Sequence, residues 1–222
     1  MTITVYTISG APRPWRVLLG LAIKGLAFET VVLKASEGEH KAAAFLSVNP
    51  RGTVPVVVDR SVTIRDSIAS LAWLDRAYPD PPLFGRTSDE AALIWQRTAE
   101  FADYLRTAVN NVLSPIFFEN ASTATPDLLR SAYIARVELA GIENMLVVGP
   151  CLGGEQFSAA DAVAFPELRL LQRAADTRPD VMESIGLRPL FEQYPRTGAW
   201  VSAIEALPGY PQTQPQHWKE TA

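Results

Sequence analysis

Apolar and polar positions divide the chain at about residue 80. Thr2 to Ile8 is rich in β-branched residues and tyrosine and stops at the turn formers Ser9-Gly10-Ala11-Pro12-Arg13-Pro14, which predicts a strand followed by a loop. Pro14 suits a first helical turn, where its missing N–H is not needed. Val17, Leu18, Leu21 and Ala22 then recur at helical spacing until Gly25 closes the run. Phe28 to Leu33, with Thr30, Val31 and Val32, predicts a second strand, parallel to the first because a helix separates them. A polar loop over Ser36-Glu37-Gly38-Glu39-His40 leads to a short apolar stretch at 42–48 and then to Asn49-Pro50-Arg51-Gly52. Val54 to Val58 and Val62 to Ile64 read as a hairpin turning at Asp59-Arg60-Ser61, and Asp66 or Ser67 caps a helix that continues through Leu71 and Leu74 to Tyr78.

This β-α-β-α-β-β-α order breaks at Tyr78-Pro79-Asp80-Pro81-Pro82, so one domain is expected over 1–80 and a second over 88–222. Beyond Ser88 the apolar positions keep a 3.6-residue period over 91–113, 126–145, 159–175 and 197–206. The second domain is therefore expected to be all helical. The tail after Leu207, punctuated by Pro208, Pro211 and Pro215, is expected to be irregular.

Composition narrows the chemistry. With 48% apolar and 20% charged residues, long disordered stretches are not expected. A net charge of −4 with dispersed Lys and Arg offers no basic stripe for nucleic acid. No positively charged leader precedes an apolar run and no span of about 18 apolar residues occurs, which reads as a cytoplasmic protein without membrane partners. Cys151 is the one cysteine and His40 and His217 the two histidines, so neither a disulfide framework nor a metal site is expected. The reactive atom then has to come from a ligand.

Val54-Pro55 lies at the entry of a strand that otherwise reads as central, where proline removes a ladder donor. Two readings stand: a trans proline at the strand start, or a cis peptide that leaves the Val54 N–H and C=O free to pair with an extended ligand. Asp66-Ser67 taken alone is a helix cap, and His40 taken alone is a solvated loop residue.

The run Gly38-Glu39-His40, Phe45-Leu46, Asn49-Pro50-Arg51-Gly52-Thr53-Val54-Pro55 and, eleven residues on, Asp66-Ser67 resembles the glutathione site of cytosolic glutathione S-transferases of the bacterial, theta and delta types. Trp15-Arg16-Val17 with Lys24-Gly25-Leu26 resembles zeta-type members, and Phe157-Ser158-Ala159-Ala160-Asp161 resembles the family's capping box in the second domain. The resemblance implies a thioredoxin-like first domain, with Pro55 cis and Val54 on the cysteinyl backbone of glutathione. It also implies that Thr53 is a glutathione-binding residue, that Asp66 and Ser67 hold the γ-glutamyl end, and that His40 and Lys41 lie at the glycine carboxylate. Arg51 is a further ligand-facing candidate. Ser158 and Asp161 are implied as a structural cap. Phe101, Tyr104 and Phe118 are candidate contacts in a hydrophobic pocket for a small electrophile.

The chain departs from the family pattern where the thiol is activated. Counting back from Trp15, the position that carries a hydroxyl or thiol in relatives is Ala11, which has no donor. A thiol with pKa near 8.5 still needs its anion stabilised. Ser9 is the leading candidate, with Thr7, Arg13, the backbone at Ala11 and the helix dipole as alternatives. The expected activity is conjugation of glutathione to a small hydrophobic electrophile, in a metal-free homodimer. The alternatives are a glutathione-dependent isomerase or dehalogenase, and a glutathione-binding module without turnover.

Overall fold

The computed structural model describes residues 2–219. Strand β1 (Ile3–Thr7) buries every second residue, Ile3, Val5 and Thr7, which is the period-2 pattern of a half-buried strand. Helix α1 (Pro12–Ile23) follows, and β2 (Phe28–Val32) returns parallel to β1, with Ile3 opposite Phe28 and Thr7 opposite Val32. Two single 3₁₀ turns, Ala35–Glu37 and Glu39–Lys41, lead to the one-turn α2 (Ala43–Leu46). Then β3 (Val56–Asp59) and β4 (Val62–Ile64) form a hairpin around Arg60, whose φ is 53°. The sheet order is β2-β1-β3-β4, with β3 antiparallel to both of its neighbours. α3 (Ser67–Ala77) closes this thioredoxin-like unit.

Packing in this unit is close. α1 lies against α3, and a Cβ built on Gly20 would come within 2.3 Å of Leu71 Cδ2, so only glycine permits that approach. Trp15, Arg16 and Val17 are all buried. After α3 the chain is held by Asp75, whose Oδ1 accepts from the N–H groups of Leu83 and Phe84, and by Lys24, whose Nζ donates to the Pro81 carbonyl.

The second unit is helical: α4 (Ser88–Glu100), α5 (Arg106–Phe118), α6 (Pro126–Met145), α7 (Ala159–Thr177), α8 (Pro179–Ser184), α9 (Leu190–Gln193) and α10 (Pro195–Glu205). α4 opens on a reciprocal capping box between Thr87 and Glu90. A π-helical turn, Phe101–Leu105, joins α4 to α5, so the single helix expected over 91–113 is one long rod with an extra residue wound into it. α7 is the hub: Ala159 to Leu168 is buried without interruption, and the helix packs on α4 and α5. Helices α8 and α9, of six and four residues, are too short to leave a period in the sequence.

The chain divides into two compact units, Met1–Arg86 with Glu205–Ala222, and Thr87–Ile204. Residues 205 onward therefore group with the first unit, whereas the sequence reading assigned them to the second. The outer limits of the two expected domains, residues 1 and 222, lie outside the described residues. The tail is also more ordered than its prolines suggest, forming α11 (Tyr210–Thr213) and α12 (Gln216–Lys219). Pro211 sits in the first turn of α11, where a missing N–H costs nothing.

Candidate functional site

Strand directions bring the candidate residues to one end of the sheet. With Tyr6 opposite Val56 in the antiparallel β1–β3 pair, the next residues along set Ile8 level with Val54. With Val57 opposite Ile64 in β3–β4, the chain leaving β4 reaches Asp66 level with Pro55. The loop carrying Ser9, the Val54-Pro55 step and the start of α3 thus share that end.

The Val54-Pro55 peptide is cis, as the family resemblance implied, and β3 begins only at Val56. Among the described residues neither the N–H nor the C=O of Val54 takes a backbone partner. Its surroundings are built to keep that segment in place. Asn49, fully buried, donates from Nδ2 to the Thr53 carbonyl at 2.7 Å and to Thr53 Oγ1 at 3.2 Å, and its Oδ1 accepts from the Arg51 N–H at 3.2 Å. Lys41 Nζ donates to the carbonyls of Arg51 and Gly52 at 3.3 and 3.1 Å. Gly52 has φ +59°, and a Cβ there would fall 2.7 Å from the His40 carbonyl, so the His40 turn and this loop touch backbone to backbone. Lys41 therefore braces the loop, a role distinct from the ligand contact expected of it. Exposed Arg51 serves the loop through its backbone groups and exposed Thr53 through its carbonyl and hydroxyl, and Nδ1 of half-buried His40 is buried with no partner among the described residues.

Asp66 is the N-cap of α3: its Oδ1 accepts from the N–H groups of Ile68 and Ala69, both at 2.9 Å. The side chain is exposed, and its other carboxylate oxygen accepts neither of these bonds. Ser67, the first helical residue, is buried at the helix end where uncompensated N–H groups favour an anion.

At the position where the resemblance placed thiol activation, Ala11 is the N-cap of α1 without a side-chain bond, and its N–H donates to the Ile8 carbonyl at 3.0 Å. Pro12 and Pro14 occupy the first and third helical positions, so Arg13 supplies the only N–H of that first turn. The bond to Ile8 occupies the Ala11 N–H that the sequence reading kept as an alternative donor. Thr7 is buried and its Oγ1 donates to the Ile8 carbonyl at 3.3 Å. Arg13 is exposed. Ser9, in the loop, has its hydroxyl 2.7 Å from His217 Nδ1, a partner that no sequence reading had suggested.

In the second unit Phe101 is 2% exposed, a core residue, which corrects its reading as a pocket contact; Tyr104 and Phe118, at 62% and 81%, present large apolar surface. Ser158 and Asp161 form the expected reciprocal cap. Asp161 does more than cap: it also accepts from the Leu152 N–H at 2.7 Å and from Trp200 Nε1 at 2.8 Å. Burial pushes the Cys151 thiol up to about 12, with Asp161 and Glu155 adding to the shift, so it is a neutral core residue near pH 7.

Comparison with known proteins gives this end of the sheet its context. Residues 1–76 match the family model of the glutathione S-transferase N-terminal domain. The chain is 30% identical to glutathione S-transferase theta-1 of Mus musculus over 208 residues, 89% of this chain and 80% of the relative. It is 41% identical to glutathione S-transferase Z1 of Arabidopsis thaliana over 81 residues, a stretch that is 36% of this chain and 37% of the relative. Among solved structures, a glutathione S-transferase from the Antarctic clam Laternula elliptica superimposes with TM-score 0.85 at 29% identity, covering 99% of this chain and 95% of that one. A thioredoxin-like unit with a helical partner is thus the architecture of this group. The chain belongs to the glutathione S-transferase family.

Proposed function

We propose that the first unit binds glutathione and that the protein conjugates its thiolate to a small hydrophobic electrophile. The observation that carries the reading is the unpaired Val54 backbone, held by Asn49 and Lys41 at the same sheet end as Asp66 and Ser9. An extended tripeptide pairing with Val54 would gain main-chain hydrogen bonds as an added strand. Its γ-glutamyl ammonium would meet the free oxygen of Asp66 and its carboxylate the start of α3. Ser9 would donate to the sulfur and favour the thiolate, since a hydrogen bond to an ion is worth about 1.5–3 kcal/mol. His40 is proposed at the glycine carboxylate, and Tyr104 as an electrophile contact.

A homodimer without a metal belongs to the same proposal, and light scattering at twice the monomer mass would support the dimer. A cytoplasmic setting belongs to the same proposal; no helix among the described residues is long and apolar enough to cross a membrane.

Isothermal calorimetry with reduced glutathione, comparing the wild type with Asp66→Ala, tests the site. Saturable binding that the substitution abolishes is expected; no binding at millimolar ligand would refute the proposal. Turnover of an aryl halide then separates an enzyme from a binding module. Isomerisation ranks second. The zeta-like Trp15-Arg16-Val17 run that suggested it is buried in the α1 packing, which ties that likeness to the core.

A further inference from the structure

The C-terminal tail is docked on α1 and on the loop that carries Ser9. Trp15 Nε1 donates to Thr213 Oγ1 at 3.1 Å in a buried contact, and Thr213 Oγ1 donates onward to the Tyr210 carbonyl at 2.9 Å. The Trp218 ring meets Trp15 edge to face, with centroids 5.2 Å apart at 85°. Gly209 lies so close to α1 that a Cβ there would sit 3.1 Å from Ala22 Cβ.

These contacts deliver the imidazole of His217 to the loop. Its Nδ1 is 2.7 Å from Ser9 Oγ. Gly10, at φ +80°, leaves the space the ring occupies, since a Cβ there would fall 2.9 Å from His217 Cε1. The remaining gap between tail and loop, lined by Thr7, Ser9, Ala11, Trp15, Thr213 and Gln216, is only about 50 Å³. Pockets for substrate-sized ligands run to ~300 Å³ or more, so the gap beside the tail is too small to hold a substrate.

We propose that His217 is a positioning residue for Ser9: its Nδ1–H donates to Ser9 Oγ and leaves the serine proton free to point at the glutathione sulfur. The inference rests on the reading in which Ser9 is the thiolate's donor. A hydroxyl has one proton and two acceptor lone pairs, so the direction of the imidazole bond decides whether that proton is available. If the ring nitrogen accepted, the Ser9 proton would be tied to the tail. If it donates, the oxygen is anchored, its rotor is biased and the proton faces away from the ring. The same bond places a terminal segment, 208 residues away in sequence, in control of the hydroxyl.

The test uses the full chain with Ser9→Ala, His217→Ala, His217→Asn and the Ser9→Ala/His217→Ala pair. Two quantities are read: kcat and KM with an aryl halide, and the pH titration of the ultraviolet thiolate absorbance of bound glutathione. His217→Ala is expected to lower kcat roughly two- to tenfold, with glutathione affinity within about twofold of the wild type. It is also expected to move the thiol titration to higher pH. His217→Asn, whose amide N–H replaces the Nδ1–H donor, is expected to recover most of both. The pair is expected to be no worse than Ser9→Ala alone, because the two groups act through one hydroxyl. Unchanged or raised kcat in His217→Ala, with Ser9→Ala impaired, overturns the positioning role alone. So does a His217→Asn variant no better than His217→Ala. A Ser9→Ala variant with wild-type turnover and titration overturns the role of Ser9 and this inference with it, and failure of the wild type to bind glutathione overturns the whole reading.

Discussion

Replacing Asp161 by alanine tests how far the second unit depends on one buried carboxylate. The side chain is fully buried and accepts from Leu152 N–H, Ser158 N–H, Ser158 Oγ and Trp200 Nε1, all within 2.7–2.8 Å. In Asp161→Ala the serine hydroxyl can turn elsewhere, but three N–H donors are left buried without partners. Each costs about 1–3 kcal/mol, and allowing for relaxation the loss should be about 3–5 kcal/mol of a typical stability of 5–15. Asp161→Asn keeps the volume and one acceptor oxygen. Its NH₂ would face the Ser158 donors; the hydroxyl can reverse to accept, whereas the Ser158 N–H cannot, so about half the alanine cost is expected. Urea unfolding followed by near-ultraviolet circular dichroism, which senses Trp200, gives both numbers. A loss below about 1 kcal/mol for Asp161→Ala would show that the donors find other partners and that the carboxylate is not the keystone of this helix start.

Two further predictions are independent of that one. Asn49→Ala removes three hydrogen bonds from the loop that holds Val54 and should destabilise the first unit by about 2–4 kcal/mol. Because Asn49 is not placed as a ligand contact, the accompanying rise in the glutathione Kd would report loop population, and unchanged affinity by calorimetry would count against that coupling. Glu143 is pushed up by burial, but the backbone N–H groups of Arg196 and Thr197, the Thr197 hydroxyl and the Arg196 charge outweigh this and hold its carboxyl below the ordinary value. Its stabilisation is then present above the unfolded-state pKa and lost as pH falls through the lower folded value. Glu143→Gln should cost about 1–2 kcal/mol at pH 7, with the gap to wild type closing in urea titrations as pH falls below the ordinary carboxylate range.

Much of the fold was legible in the sequence because it depends on local pattern. The alternation in Ile3–Thr7, the helical spacing of Val17, Leu21 and Ala22, and the Asp66 cap each specify an element within a few residues, and helix 126–145 was read to its ends. The π turn at 101–105 was not legible: one extra residue inside a continuous apolar stripe changes no pattern that a helical period detects. For the candidate site, the resemblance supplied the order of the residues around Val54. It did not supply their supports, since the letters of Asn49 and Lys41 do not say whether a side chain braces its own loop or faces a ligand.

What the sequence alone determined, then, is the order of elements in the first unit and the helical character of the second. Those follow from propensity, periodicity and strand direction, which act over a few residues. Only the tertiary structure decided that Phe101 is core, that Arg16 is buried, and that the proline-rich tail folds back to set His217 against Ser9. Such contacts join positions far apart along the chain, and their free energy comes from shape, burial and hydrogen-bond geometry that exist only once the chain has packed.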